Sequence, residues 1–148
     1  MSQSAANHGL RGRTAVAGVG ETAYYKRGQS RDPEFVLVLK AILAACEDGG
    51  ISPREIDGFC SYSNDRNTPA RLANALGLEE LRYSNMQWGG GGGGAAAVVQ
   101  NASSAVHAGS ADVVVAYRGL AQASSAVSAR AGAVRPCAAS SLTRFPMA

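Results

Sequence analysis

Apolar residues in this chain come in short bursts, cut by glycine, proline and polar turns, and two spacings alternate among them. Thr14-Ala-Val-Ala-Gly-Val19 reads as a short buried strand. Glu21 to Arg31 is polar and aromatic and reads as a loop. Asp32-Pro33 then opens a helix, with Asp as N-cap and Pro in the first turn, where no hydrogen bond is lost. That helix runs through Phe35, Leu39, Ile42 and Leu43 to about Asp48. It is apolar over most of its circumference, which calls for cover on more than one side. Gly49-Gly50 stops it. Ser52 to Glu55 is a turn, and Ile56 to Tyr62 a second strand. Thr68-Pro69 repeats the cap-plus-proline start, for a short helix through Leu72 and Leu76 to Gly77. Leu81 to Trp88 is a third strand, Ala95 to Ala108 a small-residue helix ended by Gly109, and Ala111 to Tyr117 a fourth strand centred on Val113-Val114-Val115. Strands alternating with helices predict an α/β layered fold with mainly parallel pairing.

The pattern stops near Gln122. From Ala123 to Ala148 the chain is mostly Ala, Ser and Arg, with no acidic residue and no period, which predicts an irregular tail. The organisation expected is therefore a disordered stretch over 1–13, one domain over 14–122 and the tail over 123–148.

Composition narrows the function. The 148 residues are 46% hydrophobic and 17% charged, which describes a globular chain, and the net charge of +3 is carried by scattered basic residues. Nucleic-acid binding is disfavoured accordingly. Three cysteines, Cys46, Cys60 and Cys137, without C-x-x-C spacing argue against a disulfide framework and a zinc site. The polar start does not read as a signal peptide, and no apolar run approaches the ~18 residues of a membrane span. A reduced, cytoplasmic setting is the expectation.

Candidate chemistry centres on glycine. Gly89 to Gly94 are six in a row, between a strand and a small-residue helix. Consecutive amides at a helix N-terminus attract anions. A P-loop needs Lys-Ser/Thr after its last glycine, and Ala95-Ala96 stand there. Gly18-Val-Gly-Glu-Thr-Ala23 has the spacing of a dinucleotide fingerprint, but Gly28 and Pro33 interrupt the helix it must open, and Lys40 stands near the position of the ribose-binding acid. Cys46 reads as core. Cys60 follows Phe59 in a strand and has no supporting base, and Cys137 lies in the tail. His107 ends a helix, His8 is in the polar start, and Glu79-Glu80 read as solvated.

The order of these pieces resembles the N-terminal half of the thiolase superfamily. It is more similar to the lipid-transfer branch related to sterol carrier protein thiolases, which includes thiolase-like aldolases. The resemblance rests on Ala15 to Thr22, Ile51 to Gly58, Asn85 through the glycines, and Gly109 to Gly119. It implies an α-β-α-β-α layered domain, duplicated in full-length members and commonly dimeric. It also implies acyl-CoA or lipid as ligand, with a coenzyme A thioester as substrate and no bound cofactor. Thiolases carry acyl groups on a cysteine before the central helix. That position falls on Gly89, which forms no thioester. Glycine-rich loops there look like those of aldolases that cleave carbon–carbon bonds in acyl-CoA side chains such as those of steroids, beside a small OB-fold partner. The resemblance makes Gly89, Gly90, Gly91 and Gly92 candidates for an oxyanion or thioester pocket. Family members run more than twice this length. The expectation is a truncated chain, inactive alone, whose tail is an out-of-frame reading. The alternative is a non-catalytic acyl-CoA or lipid-binding subunit that completes its site with a partner chain.

Overall fold

Phe59, with no exposed surface, anchors the core from the middle of the central strand. A computed structural model describes residues 10, 12–63, 65–89 and 91–121. In chain order they form α1 (Glu34–Gly49), a 3-10 turn (Pro53–Glu55), β1 (Gly58–Tyr62), α2 (Pro69–Leu76), β2 (Tyr83–Gln87), α3 (Gly93–His107) and β3 (Val114–Ala116). The sheet has the order β2-β1-β3. Both pairings are parallel, with Cys60 opposite Asn85 on one side and Ala116 on the other. The parallel α/β arrangement expected from the alternating pattern is the one formed.

Side chains alternate across the sheet. Phe59 packs with Val38, Ile42 and Cys46 of α1, Leu72 and Ala73 of α2, and Tyr117 beyond β3. Phe59 and Tyr117 meet edge to face, with ring centroids 6.0 Å apart. The opposite face carries α3. There Val114 lies over Gly58, and Tyr62 lies against Gly94. Asn101 of α3 donates to Asn85 of β2 at 2.9 Å, tying helix to sheet. The result is three layers, helix, sheet and helix.

A carboxylate sets the register at the start of the strands. Asp57 accepts from the main-chain N–H of Asp112 at 3.0 and 2.9 Å and of Val113 at 2.8 Å. Arg82 donates to Asp57 at 2.9 Å and to Asp112 at 2.6 Å. Charged hydrogen bonds to main-chain donors are the stronger kind, so β1, β3 and the segment before β2 are fastened together here.

Several local expectations need correction. Residues 14–19 form no strand among the described residues. They lie along α1, where a Cβ on Gly18 would sit 2.2 Å from the Ala45 carbonyl and one on Gly20 2.2 Å from that of Ala41. This close approach supplies the second cover that the apolar helix demanded. Pro33, not Asp32, is the N-cap of α1, and no side chain caps it. The Asp32 carboxylate instead pairs with Lys40 at 2.6 Å. Thr68 caps α2 by position, without a side-chain hydrogen bond. Gly50 ends α1 in the left-handed conformation, at φ 63°. The third helix starts at Gly93, two residues before the expected Ala95. The first expected strand starts two residues later, as Gly58–Tyr62, and the other two shrink at both ends to Tyr83–Gln87 and Val114–Ala116. The tail after Ala121 and most of the expected disordered start lie outside the described residues.

Candidate functional site

The glycine run lies between the end of β2 and the start of α3. Gly89 has φ 67° and Gly91 φ 45°, conformations that favour glycine. No atom lies within 4 Å of a Cβ built on Gly89, Gly91, Gly92 or Gly93, so this stretch is open. Gly90 lies outside the described residues. Gly94 is the opposite case, for its Cβ would stand 2.5 Å from the Tyr62 ring. Gly92 is the N-cap of α3, and no side chain caps the helix. The Gly94 N–H bonds to the Gly91 carbonyl at 3.2 Å. Helix-start amides without a side-chain acceptor, on a helix of 15 residues, suit a partial negative charge.

Beside this loop lies a polar cluster at the carboxyl ends of β1 and β3, the end where open parallel sheets hold ligands. Arg118 donates to the carbonyl of Tyr62 and, at 2.5 Å, to that of Ser63, and its guanidinium stands 5.1 Å from the Tyr62 ring centroid. Tyr117 donates to the Asn67 carbonyl. Buried Asp65 accepts from the main chain of Asn67 at 2.7 Å and of Gly119 at 2.6 Å. Glu34, in the first turn of α1, accepts from Asn67 at 3.2 Å and from the Ala121 N–H at 3.0 Å. Burial, with the Asp65 charge adding to it, pushes the Tyr117 phenol up to about 12. Fully buried Ser61 neighbours that phenol and opposes the shift, but its Oγ makes no well-formed hydrogen bond. Every carboxylate of this cluster is already engaged, so the cluster is a brace for the strand ends. The sequence gives these residues no role in a site, because most of their partners lie 33 to 87 residues away. Gly119 is packed tightly here, for a Cβ there would stand 2.5 Å from Val38 and 2.6 Å from the Asn67 amide.

The cysteines are not poised for covalent chemistry. Cys46 is buried in the α1 core as expected. Cys60 is fully buried, and burial pushes its thiol up to about 11, leaving almost no thiolate near neutrality. His107 ends α3 and is exposed, and Glu79 and Glu80 are exposed. Cys137 and His8 lie outside the described residues. Among the described residues no three His, Cys, Asp or Glu side chains group as metal ligands, and no helix is long and apolar enough to cross a membrane.

Two cavities stand out. One, of about 440 Å³, runs between residues 14–20 and β3, with α1 and α3 on its two sides. The other, of about 520 Å³, lies between residues 20–28 and 118–121. Neither is lined by Gly89, Gly91 or Gly92.

Relatives sharpen this picture. No protein-family model matches the chain. It is 41% identical over 110 residues to the 17-hydroxy-3-oxo-4-pregnene-20-carboxyl-CoA lyase of Mycobacterium tuberculosis. A steroid side-chain-cleaving aldolase of Thermomonospora curvata is 37% identical over 109 residues. The match covers 74% of this chain in both cases, and 28% and 27% of the relatives. A solved Ltp2-ChsH2(DUF35) aldolase superposes with a TM-score of 0.66 at 34% identity, over 74% of this chain and 28% of that one. The chain thus shares the α/β fold of these aldolases and spans about a quarter of their length.

Proposed function

We propose that this chain is the glycine-loop portion of a thiolase-like aldolase that cleaves a carbon–carbon bond in the side chain of an acyl-CoA thioester, with steroid acyl groups as the substrate class. The observation that carries this reading is the 41% identity to a steroid acyl-CoA lyase over 110 residues, a stretch that includes most of the described fold. In the proposed step a base takes the proton of a hydroxyl two carbons from the thioester carbonyl. The O–H electron pair forms a new carbonyl, the bond between the hydroxyl-bearing carbon and its neighbour breaks, and the released pair becomes the thioester enolate. A proton then returns to that carbon. This chemistry needs a base and an oxyanion site and no covalent nucleophile. Gly89 at the thiolase nucleophile position and the raised Cys60 thiol agree with that requirement. The amides of Gly89 to Gly92 are assigned to the thioester oxygen.

No group free to act as the base stands beside the loop among the described residues, since Asp65 and Glu34 already hold main-chain donors. The base is assigned to the part of the enzyme that this chain does not span. Turnover then requires that part, and a small OB-fold partner of the kind the resemblance implies completes the assembly. The same observation keeps a second reading, a non-catalytic acyl-CoA-binding subunit.

Gly92→Asp tests the oxyanion assignment. A carboxylate beside the α3 N-terminus stabilises the helix by about 0.3–1 kcal/mol and repels an oxyanion from the same amides. The expected result is a small gain in urea-unfolding stability together with weaker acyl-CoA binding by calorimetry. Unchanged binding would remove the glycine amides from the site. Cleavage of a steroid acyl-CoA by the purified chain alone would overturn the dependence on a further part.

A further inference from the structure

The cavity of about 520 Å³ between residues 20–28 and 118–121 has the charge of an anion site. Its volume lies within the ~300–1,000 Å³ of small-molecule pockets. Leu37, Val38 and Ala41 of α1 supply its apolar side. Three cations, Lys26, Arg27 and Arg118, line it against one acid, Glu21. Lys26 to Gln29 form a tight turn, closed by the Gln29 N–H on the Lys26 carbonyl at 2.9 Å. Gly28 takes φ 75° there, the left-handed conformation that a type II turn needs at its third residue. The turn holds two cations side by side, and among the described residues neither pairs with a carboxylate. Arg118 spends only Nη1 on the carbonyls of Tyr62 and Ser63, so the rest of its fork remains for an acceptor. Glu21 accepts from the Tyr24 hydroxyl at 3.1 Å. That bond holds one end of a ring that is 91% exposed, which leaves the ring faces open.

We propose that this cavity takes the nucleotide end of coenzyme A, with its phosphates on Lys26, Arg27 and Arg118 and its adenine stacked on Tyr24. Cations of one sign around a pocket raise the local concentration of a polyanion. Guanidinium forks match phosphate oxygens, and an open aromatic face beside them receives a base. A lone carboxylate would engage one cation and leave the ring bare. The position of the cavity agrees with this ligand. Arg118 stands 5.1 Å from the Tyr62 ring centroid, and the same ring lies against Gly94 in the first turn of α3. One aromatic ring thus separates the cavity lining from the start of α3. Coenzyme A carries its phosphates and its thioester at opposite ends of a flexible arm, so a single molecule serves both places. The inference deepens the acyl-CoA reading above and rests on it, while its test contains no thioester.

The probe is adenosine 3′,5′-bisphosphate, which has neither acyl group nor thioester, titrated into the 148-residue chain by calorimetry. Saturable one-to-one binding that weakens with added salt is expected. Lys26→Ala together with Arg27→Ala should weaken it by about tenfold or more, and Tyr24→Ala by about fivefold or more. All three side chains are exposed, so the thermal melts should not move. Arg13→Ala together with Arg54→Ala removes the same charge from exposed positions outside the lining and should leave binding unchanged. No binding of the bisphosphate, or an equal loss in this control pair, would overturn the proposal. So would inorganic phosphate that binds as tightly as the bisphosphate with no effect of Tyr24→Ala, which would leave a bare phosphate site. Gly92→Asp separates the two readings. Bisphosphate binding beside an acyl-CoA affinity that Gly92→Asp leaves unchanged keeps the nucleotide site and removes the thioester assignment. The opposite pair of results removes the nucleotide site alone.

Discussion

Asp57 makes a sharp test of what holds the three strands in register. Its carboxylate is 14% exposed and serves two main-chain donors and one guanidinium. Asp57→Ala leaves the N–H groups of Asp112 and Val113 without their acceptor. Hydrogen bonds to a charged group contribute about 1.5–3 kcal/mol each. The Arg82 pair adds little, because its side chain is a third exposed and solvent screens it. The expected loss is about 3–5 kcal/mol for Asp57→Ala, discounted for the solvent that reaches Asp112. Asp57→Asn keeps one oxygen to accept and should lose about half as much. Arg82→Ala should cost clearly less than either Asp57 variant. Urea unfolding followed by circular dichroism reads all three, and a common m-value confirms that the same surface is exposed. A domain holds only about 5–15 kcal/mol in total, so Asp57→Asn protects the comparison if the alanine variant is too weak to fold. A loss below about 1 kcal/mol for Asp57→Ala would refute the clamp. An Arg82→Ala cost exceeding that of Asp57→Ala would refute the ranking of main-chain over side-chain partners.

Two further outcomes follow from the packing and from the buried acids. Gly94→Ala should destabilise by about 1–3 kcal/mol, since its Cβ falls 2.5 Å from the Tyr62 ring. Tyr62→Ala in the same chain should recover most of that loss, and additive costs would contradict the contact. Burial raises Cys60 to about 11 from an ordinary 9.0, and Tyr117 to about 12 from 10.0. Between each pair of values the unfolded chain has released a proton that the folded chain still holds, so stability falls as pH rises. Stability should be flat up to about pH 9 and decline through pH 11, read from thermal melts. Cys60→Ser should remove the lower-pH part of that decline, and an unchanged profile in that variant would reject the assignment.

The centres of three strands and three helices were legible, because each rests on local pattern: Val113 to Val115 for β3, Leu72 and Leu76 for α2, the glycine boundary for α3. Parallel pairing followed from the alternation alone. Residues 14–19 show where local pattern fails. Their alternation of small and branched residues suits a strand, but a strand exists only with a partner, and Gly18 and Gly20 instead let the segment settle onto α1. Asp32 has the makeup of a cap, yet Lys40 lies within reach and takes its carboxylate. The glycine run was placed correctly at the β2–α3 turn. Its neighbours were not legible, since Arg118, Asp65 and Tyr117 meet only after the strands are in place. Asp57 was hidden for the same reason, as its main-chain partners lie 55 and 56 residues away.

Gly94 also sets the height of a lever. The aromatic ring of Tyr62 lies directly beneath it, and the Asn85–Asn101 hydrogen bond pins α3 to the sheet two turns further on. Any side chain at Gly94 pushes up the near end while the pinned end holds, so the helix tilts about Asn101 as a beam tilts on a fulcrum. The free amides sit on the raised end. A single methyl group would therefore change the elevation and aim of the glycine turn without touching a residue in it, and relatives with different reach above the sheet could be tuned at this one position.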